Sequence, residues 1–153
     1  MSGEQLKQRV LFLCTGNSAR SQMAEGWLRA LAGDAYEVAS AGTRPSAVHP
    51  LTGEVMRERG IDLSAHRSKS IDEFRDVEFD LVITVCDAAR DACPFFPGKR
   101  RLHWSLSDPA AVEGDAQTRL AAFRRARDEI ESLVRGLIAE QGEVDSNRSP
   151  TRE

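Results

Sequence analysis

Three cysteines, Cys14, Cys86 and Cys93, are the residues with the most chemistry to offer. They are odd in number and too few for a disulfide framework. The polar start Met1–Arg9 carries no secretory pattern, so a reducing compartment is expected, with the thiols buried, metal-bound or reactive. Zinc is not expected, because no C-x2-C pair is present and His49, His66 and His103 lie scattered without ligand spacing. Cys14 opens the stretch Cys14-Thr15-Gly16-Asn17-Ser18-Ala19-Arg20-Ser21, which an arginine and a serine close. The small residues between let successive backbone N–H groups turn inward as a nest for an oxyanion. The start of a helix adds partial positive charge, and the planar fork of Arg20 suits two oxygens of a tetrahedral anion. The same field favours a thiolate at Cys14, to which Ser21 is placed to donate a hydrogen bond. A sulfur nucleophile facing a bound oxyanion is the expected arrangement. An inert cysteine closing a strand would explain neither Arg20 nor the glycine in the loop. Nucleotide loops of the G-x-x-x-x-G-K and G-x-G-x-x-G kinds are absent.

These residues need a frame, and the apolar pattern supplies one. Strands are expected at Arg9–Leu13, Tyr36–Ser40, Phe79–Val85 and Arg101–Trp104. Helical spacing predicts helices over Ser21–Leu31, Leu51–Arg59 and Gln117–Ala139, and Ser70 with Glu73 forms a capping-box pattern for a short one. Strand–helix alternation implies a single α/β domain over 9–139, a doubly wound, parallel four-stranded sheet flanked by helices. The segments 1–8 and 140–153 are polar and read as flexible termini. Ligands of such sheets bind beyond the carboxyl ends of the strands. Cys14 and Cys86 fall at two of those ends, and Asp108-Pro109 follows the fourth strand.

Composition excludes other classes. At 153 residues and net charge −3, the chain is one domain with no general attraction to nucleic acid. Its apolar runs, such as Val10–Cys14, fall far short of the roughly 20 residues of a membrane span. A cytoplasmic monomer is expected. Trp27 and Trp104 read as core, and His66 as a surface residue.

Cys14–Ser21, continuing through Gln22-Met23-Ala24-Glu25-Gly26, resembles the signature of the low-molecular-weight tyrosine phosphatase fold. More narrowly, it is similar to the arsenate reductases on that fold that are regenerated through internal cysteines. The resemblance extends to Ser40-Ala41-Gly42, Val85-Cys86-Asp87, Cys93-Pro94, His103-Trp104, Asp108-Pro109 and Phe123–Asp128. It implies a flavodoxin-like strand order, with the first and third strands adjacent and about 4.8 Å apart.

The same resemblance implies a chemistry. Cys14 attacks arsenate, Arg20 and the loop backbone hold the anion, and Asp108 protonates the leaving oxygen. Cys86 then attacks Cys14, releasing arsenite and leaving a transient Cys14–Cys86 disulfide. Cys93 attacks Cys86 in turn, and the redox-active Cys86–Cys93 disulfide is offered to thioredoxin. Seven residues of helix rise about 10.5 Å, so residues 86–93 must form a loop or unwind on oxidation. Phosphate and sulfate are the expected mimics of arsenate. In some relatives the positions of Asn17, Glu25 and Ser40 help to bind potassium. Lys69 stands where those relatives carry a carboxylate, so no metal and no tightly bound cofactor is expected. The alternatives are recycling by mycothiol or by glutathione with glutaredoxin, a phosphotyrosine phosphatase, and a non-catalytic oxyanion-binding module. Ala110, Ala111 and Val112 after Asp108-Pro109, in place of aromatic residues, argue against an aryl phosphate.

Overall fold

Among the described residues four short strands pair side by side in the order second, first, third, fourth, all parallel. The computed structural model describes residues 7–92 and 98–148. Its strands are β1 (Gln8–Cys14), β2 (Tyr36–Gly42), β3 (Leu81–Thr84) and β4 (Arg100–His103). Its α-helices are α1 (Arg20–Ala32), α2 (Pro50–Arg57), α3 (Asp87–Ala92) and α4 (Ala116–Arg148). Single 3-10 turns sit at Ile71–Phe74 and Pro109–Ala111. The order is the expected flavodoxin-like one. A central parallel strand is covered on both faces, and β1 accordingly buries Val10, Leu11, Phe12 and Leu13 completely.

The helices close the core over that strand. Met23, Ala24, Trp27 and Leu28 form the buried side of α1, and Phe123, Ile130 and Val134 that of α4. The two helices meet at Trp27, whose indole N–H donates to the Arg127 carbonyl at 3.2 Å. Arg59 lies over the same ring, 5.1 Å from its centroid. Trp104 is half-buried against Phe12, with ring centroids 5.7 Å apart. Pro50 begins α2 at a position where its missing N–H costs nothing.

Besides shifts of one or two residues at strand and helix ends, the last helix and the Ser70 segment differ from the sequence expectation. The last helix runs on to Arg148, beyond Ala139 and past Gly142, where the polar pattern predicts a frayed tail. Extending a formed helix fixes one residue per hydrogen bond, and Glu and Gln are good helix formers, so loss of the apolar pattern does not end it. The Ser70 segment is a 3-10 turn rather than an α-helix. Ser70 caps it by accepting the Asp72 N–H at 3.1 Å, whereas the Glu73 carboxylate pairs with Arg67 at 2.6 Å.

Glu58 ties the end of α2 to α4, receiving Arg124 at 2.7 Å and Arg127 at 2.8 Å. The hydrogen bond from Arg124, aided by Arg127, lowers its pKa from 4.5 to about 2. A depressed carboxylate stabilises the fold above its unfolded pKa and ceases to do so as pH falls through the folded one. In urea unfolding, Glu58→Gln is therefore expected to be less stable than the wild type at neutral pH. The gap should narrow as pH falls from 4.5 towards 2.

Candidate active site

The loop between β1 and α1 is shaped from outside. Its carbonyls are held outward by donors from neighbouring segments. The Cys14 carbonyl accepts Thr43 N–H at 3.2 Å, Thr15 accepts Arg44 at 2.8 Å, and Gly16 accepts Ser46 at 3.1 Å. The Asn17 carbonyl takes the Gln22 amide at 3.1 Å. A trans peptide places its N–H opposite its C=O, so outward carbonyls turn the following N–H groups inward. The result is a cradle of donors at the start of α1. Asn17 takes a left-handed φ of 49°, which asparagine tolerates better than most residues. Gly42 packs beneath the loop. A Cβ there would run into the Thr15 carbonyl oxygen and come within 2.9 Å of the Asn17 nitrogen.

Cys14 is buried at the base of this loop. Its Sγ receives the Asn17 N–H at 3.1 Å and contacts Ser21 Oγ at 2.8 Å. The second contact is backed by a network. Asn17 Oδ1 accepts the Lys69 backbone N–H at 2.8 Å, so its amide nitrogen faces Ser21 and Ser40 and donates to both, at 2.8 and 2.9 Å. Ser21 Oγ thus accepts from Asn17 and keeps its one proton available to a thiolate at Cys14. Ser40 likewise sends its proton to Glu25. Two donors converging on one sulfur suit a thiolate.

Glu25 is buried behind the loop among Arg29, Lys69 and His66. Lys69 Nζ lies 3.9 Å from Glu25 Oε1 and donates to the Arg67 carbonyl at 3.0 Å. Burial lowers its pKa while Glu25 opposes the shift. His66 is no plain surface residue. It is half-buried, with Nδ1 2.8 Å from Gln22 Oε1, and burial lowers its pKa against the pull of Glu25. Sequence reasoning assigns nothing to Gln22, although a glutamine on the buried side of an apolar helix is a sign of an internal bonding task.

Arg20 donates to the Leu106 carbonyl at 3.0 Å, and its other terminal nitrogen lies 3.8 Å from Asp108 Oδ2. Asp108 Oδ1 accepts the Ala110 N–H at 3.0 Å, so one carboxylate oxygen caps a turn and the other faces the arginine. Cys86 is buried at the end of β3 as a free thiol. The β1–β3 register pairs Leu13 with Thr84, which puts Cys86 one residue past the position opposite Cys14. Its Sγ is 3.4 Å from the Thr15 hydroxyl and 3.4 Å from the Ala89 N–H of α3. His103 ties the start of α3 to the sheet, with Nε2 2.8 Å from Asp87 and Nδ1 2.7 Å from Thr84. Cys93 lies outside the described residues. Among these, no cluster of His, Cys, Asp and Glu could hold a metal ion.

A buried thiol at the end of a parallel strand, a loop of inward-turned N–H groups and an arginine form one constellation, and the sequence pattern of the low-molecular-weight phosphotyrosine protein phosphatase family matches residues 9–148. The chain belongs to that family. Within the low-molecular-weight phosphatase family it is 46% identical to an arsenate reductase of Halalkalibacterium halodurans, covering 89% of this chain and 98% of the relative. It is similar to the solved structure of an arsenate reductase in the phosphate binding state, with TM-score 0.72 and 33% identity over 87% of this chain and 98% of that one. A thioredoxin-dependent arsenate reductase of Corynebacterium glutamicum matches with TM-score 0.70 and 34% identity, over 90% of this chain and 63% of that one.

Two substitutions test this geometry. Gly42→Ala should fold but lose most anion affinity, since either Thr15 or Asn17 must move, and sulfate titration by calorimetry reads it. Ser21→Ala should slow alkylation of Cys14 by iodoacetamide at neutral pH by about tenfold, the effect of one charge-assisted hydrogen bond.

Proposed function

We propose that this chain reduces arsenate to arsenite through a relay of three thiols, recycled by thioredoxin. The observation that carries the reading is the second thiol at the mouth of the cradle: Cys86 Sγ reaches the hydroxyl of Thr15, the residue next to Cys14. A phosphatase on this fold needs only the first cysteine, an arginine and an acid. The family relationship and the named relatives support the same choice.

In the first step the Cys14 thiolate attacks arsenic, forming an S–As bond. An arsenate oxygen leaves as water, with Asp108 Oδ2 supplying a proton. The inward N–H groups and Arg20 bind the remaining oxygens. The Cys86 thiolate then attacks Cys14 Sγ. The S–As bond breaks, its electron pair stays on arsenic, and arsenic(V) becomes arsenic(III). Arsenite departs and a Cys14–Cys86 disulfide remains. Cys93 attacks Cys86 Sγ, returning Cys14 as thiolate and forming Cys86–Cys93, which the dithiol of thioredoxin reduces. Because Asp87–Ala92 is helical while Cys86 is a free thiol, this last exchange requires α3 to unwind. The work is that of a cytoplasmic enzyme acting as a monomer. Recycling by mycothiol, or by glutathione with glutaredoxin, is the competing route.

Arsenite production with thioredoxin and its reductase decides between these. Cys14→Ser and Cys86→Ser should release none. Cys93→Ser should release a single equivalent and stop. Continued turnover by Cys86→Ser would sink the relay, and turnover by Cys93→Ser with a small thiol would favour the competing route. The ammonium of Lys69 beside Glu25 stands where a cation would balance that carboxylate, so kcat should be unchanged by added potassium.

A further inference from the structure

The cradle is gripped at Ser18 by a turn with no part in the relay. The Ser18 carbonyl accepts the His49 backbone N–H and the Thr52 hydroxyl, each at 3.1 Å. Thr52 is wholly buried. His49 holds the turn itself: its Nδ1 accepts the Leu51 N–H at 3.1 Å as the cap of α2, and its ring lies 4.7 Å from that of Phe123. An Nδ1 that accepts carries no proton, so the ring is the neutral tautomer protonated at Nε2. The Ser18 carbonyl, fixed outward by two donors, turns the Ala19 N–H into the cradle.

We propose that His49 and Thr52 are positioning residues for the bound oxyanion, aiming the Ser18–Ala19 peptide through the first turn of α2. The inference rests on the loop being an oxyanion site, as proposed above. Loss of the Thr52 hydroxyl leaves the peptide one restraint instead of two. A charged His49 ring has no acceptor for Leu51, and the turn it caps loosens. Burial and Arg119 of α4 disfavour that charge, while Asp108 favours it, and the net effect lowers the ring's pKa from 6.5. The cap is therefore intact at neutral pH and is lost on the acid side of that value.

Sulfate binding by calorimetry tests this in the Cys14→Ser background, where neither probe nor nucleophile titrates between about pH 5 and pH 8. Thr52→Val should weaken sulfate about three- to tenfold, and Thr52→Ser should restore it. With Cys14 intact, Thr52→Val should raise KM for arsenate by the same factor while kcat changes less than about twofold. His49→Asn keeps a capping oxygen that does not titrate. It should match His49 at neutral pH and bind sulfate more tightly than His49 as the solution is acidified. Arg119 and Asp108 are common to both proteins and cancel.

Unchanged sulfate affinity in a folded Thr52→Val would overturn the proposal. So would acid tightening of the His49 protein over His49→Asn, since the imidazolium would then be a direct ligand. Failure of the relay reading looks different: the wild type binds sulfate, Thr52→Val weakens it, and no arsenite appears.

Discussion

Everything at this site depends on a set of carbonyls being held away from it. A loop of small residues has many conformations, and only one presents consecutive N–H groups to a common centre. Donors from the 43–52 segment and from Gln22 select that one by occupying the outer face. Because each peptide is rigid, fixing its oxygen fixes the N–H beyond it. The cradle is thus organised before an anion arrives, which is where electrostatic preorganisation has its value.

The second dependence is on where charge is kept. A buried carboxylate behind an anion site would repel the ligand if left bare, yet Glu25 is buried there. Arg29, Lys69 and the His66 edge surround it, and Ser40 and Asn17 carry its polarity forward to Ser21 and the Cys14 sulfur. The asparagine is the pivot. Its oxygen is committed to Lys69 and Gln22, so its two N–H groups have only one way to point. A hydrogen-bond chain of this kind stiffens the side chains around the Cys14 sulfur.

The sheet order decides where the second thiol lies. Placing β3 beside β1 brings Cys86 to the mouth of the loop that Cys14 begins. α3 starts directly after Cys86, and the His103–Asp87 contact anchors that start to β4. A second cleft, of about 460 Å³, opens at the opposite edge of the sheet and includes Arg9, Glu37, Asp80 and Lys99. Arg9 pairs there with Glu37 and Lys99 with Asp80, and among the described residues no thiol lines it.

Local pattern alone was enough for the strands, the main helices and the cradle. Apolar runs, helical spacing and the Cys14–Ser21 composition are short-range properties, and a nest with a closing arginine is written in consecutive residues. The resemblance of the surrounding motifs made the strand order legible too, and the roles proposed for Cys86 and Asp108 rest on it. What consecutive residues do not contain is how segments far apart in the chain bond to one another. His66 became a half-buried partner of Gln22, and His49 and Thr52 became supports for Ser18, only when folding carried the 43–70 segment over the loop. Those contacts join residues separated by tens of positions. The bonds at Ser18 are made to a backbone carbonyl, which every residue possesses, so the type of residue 18 leaves no signature of them, and only packing determined where they formed.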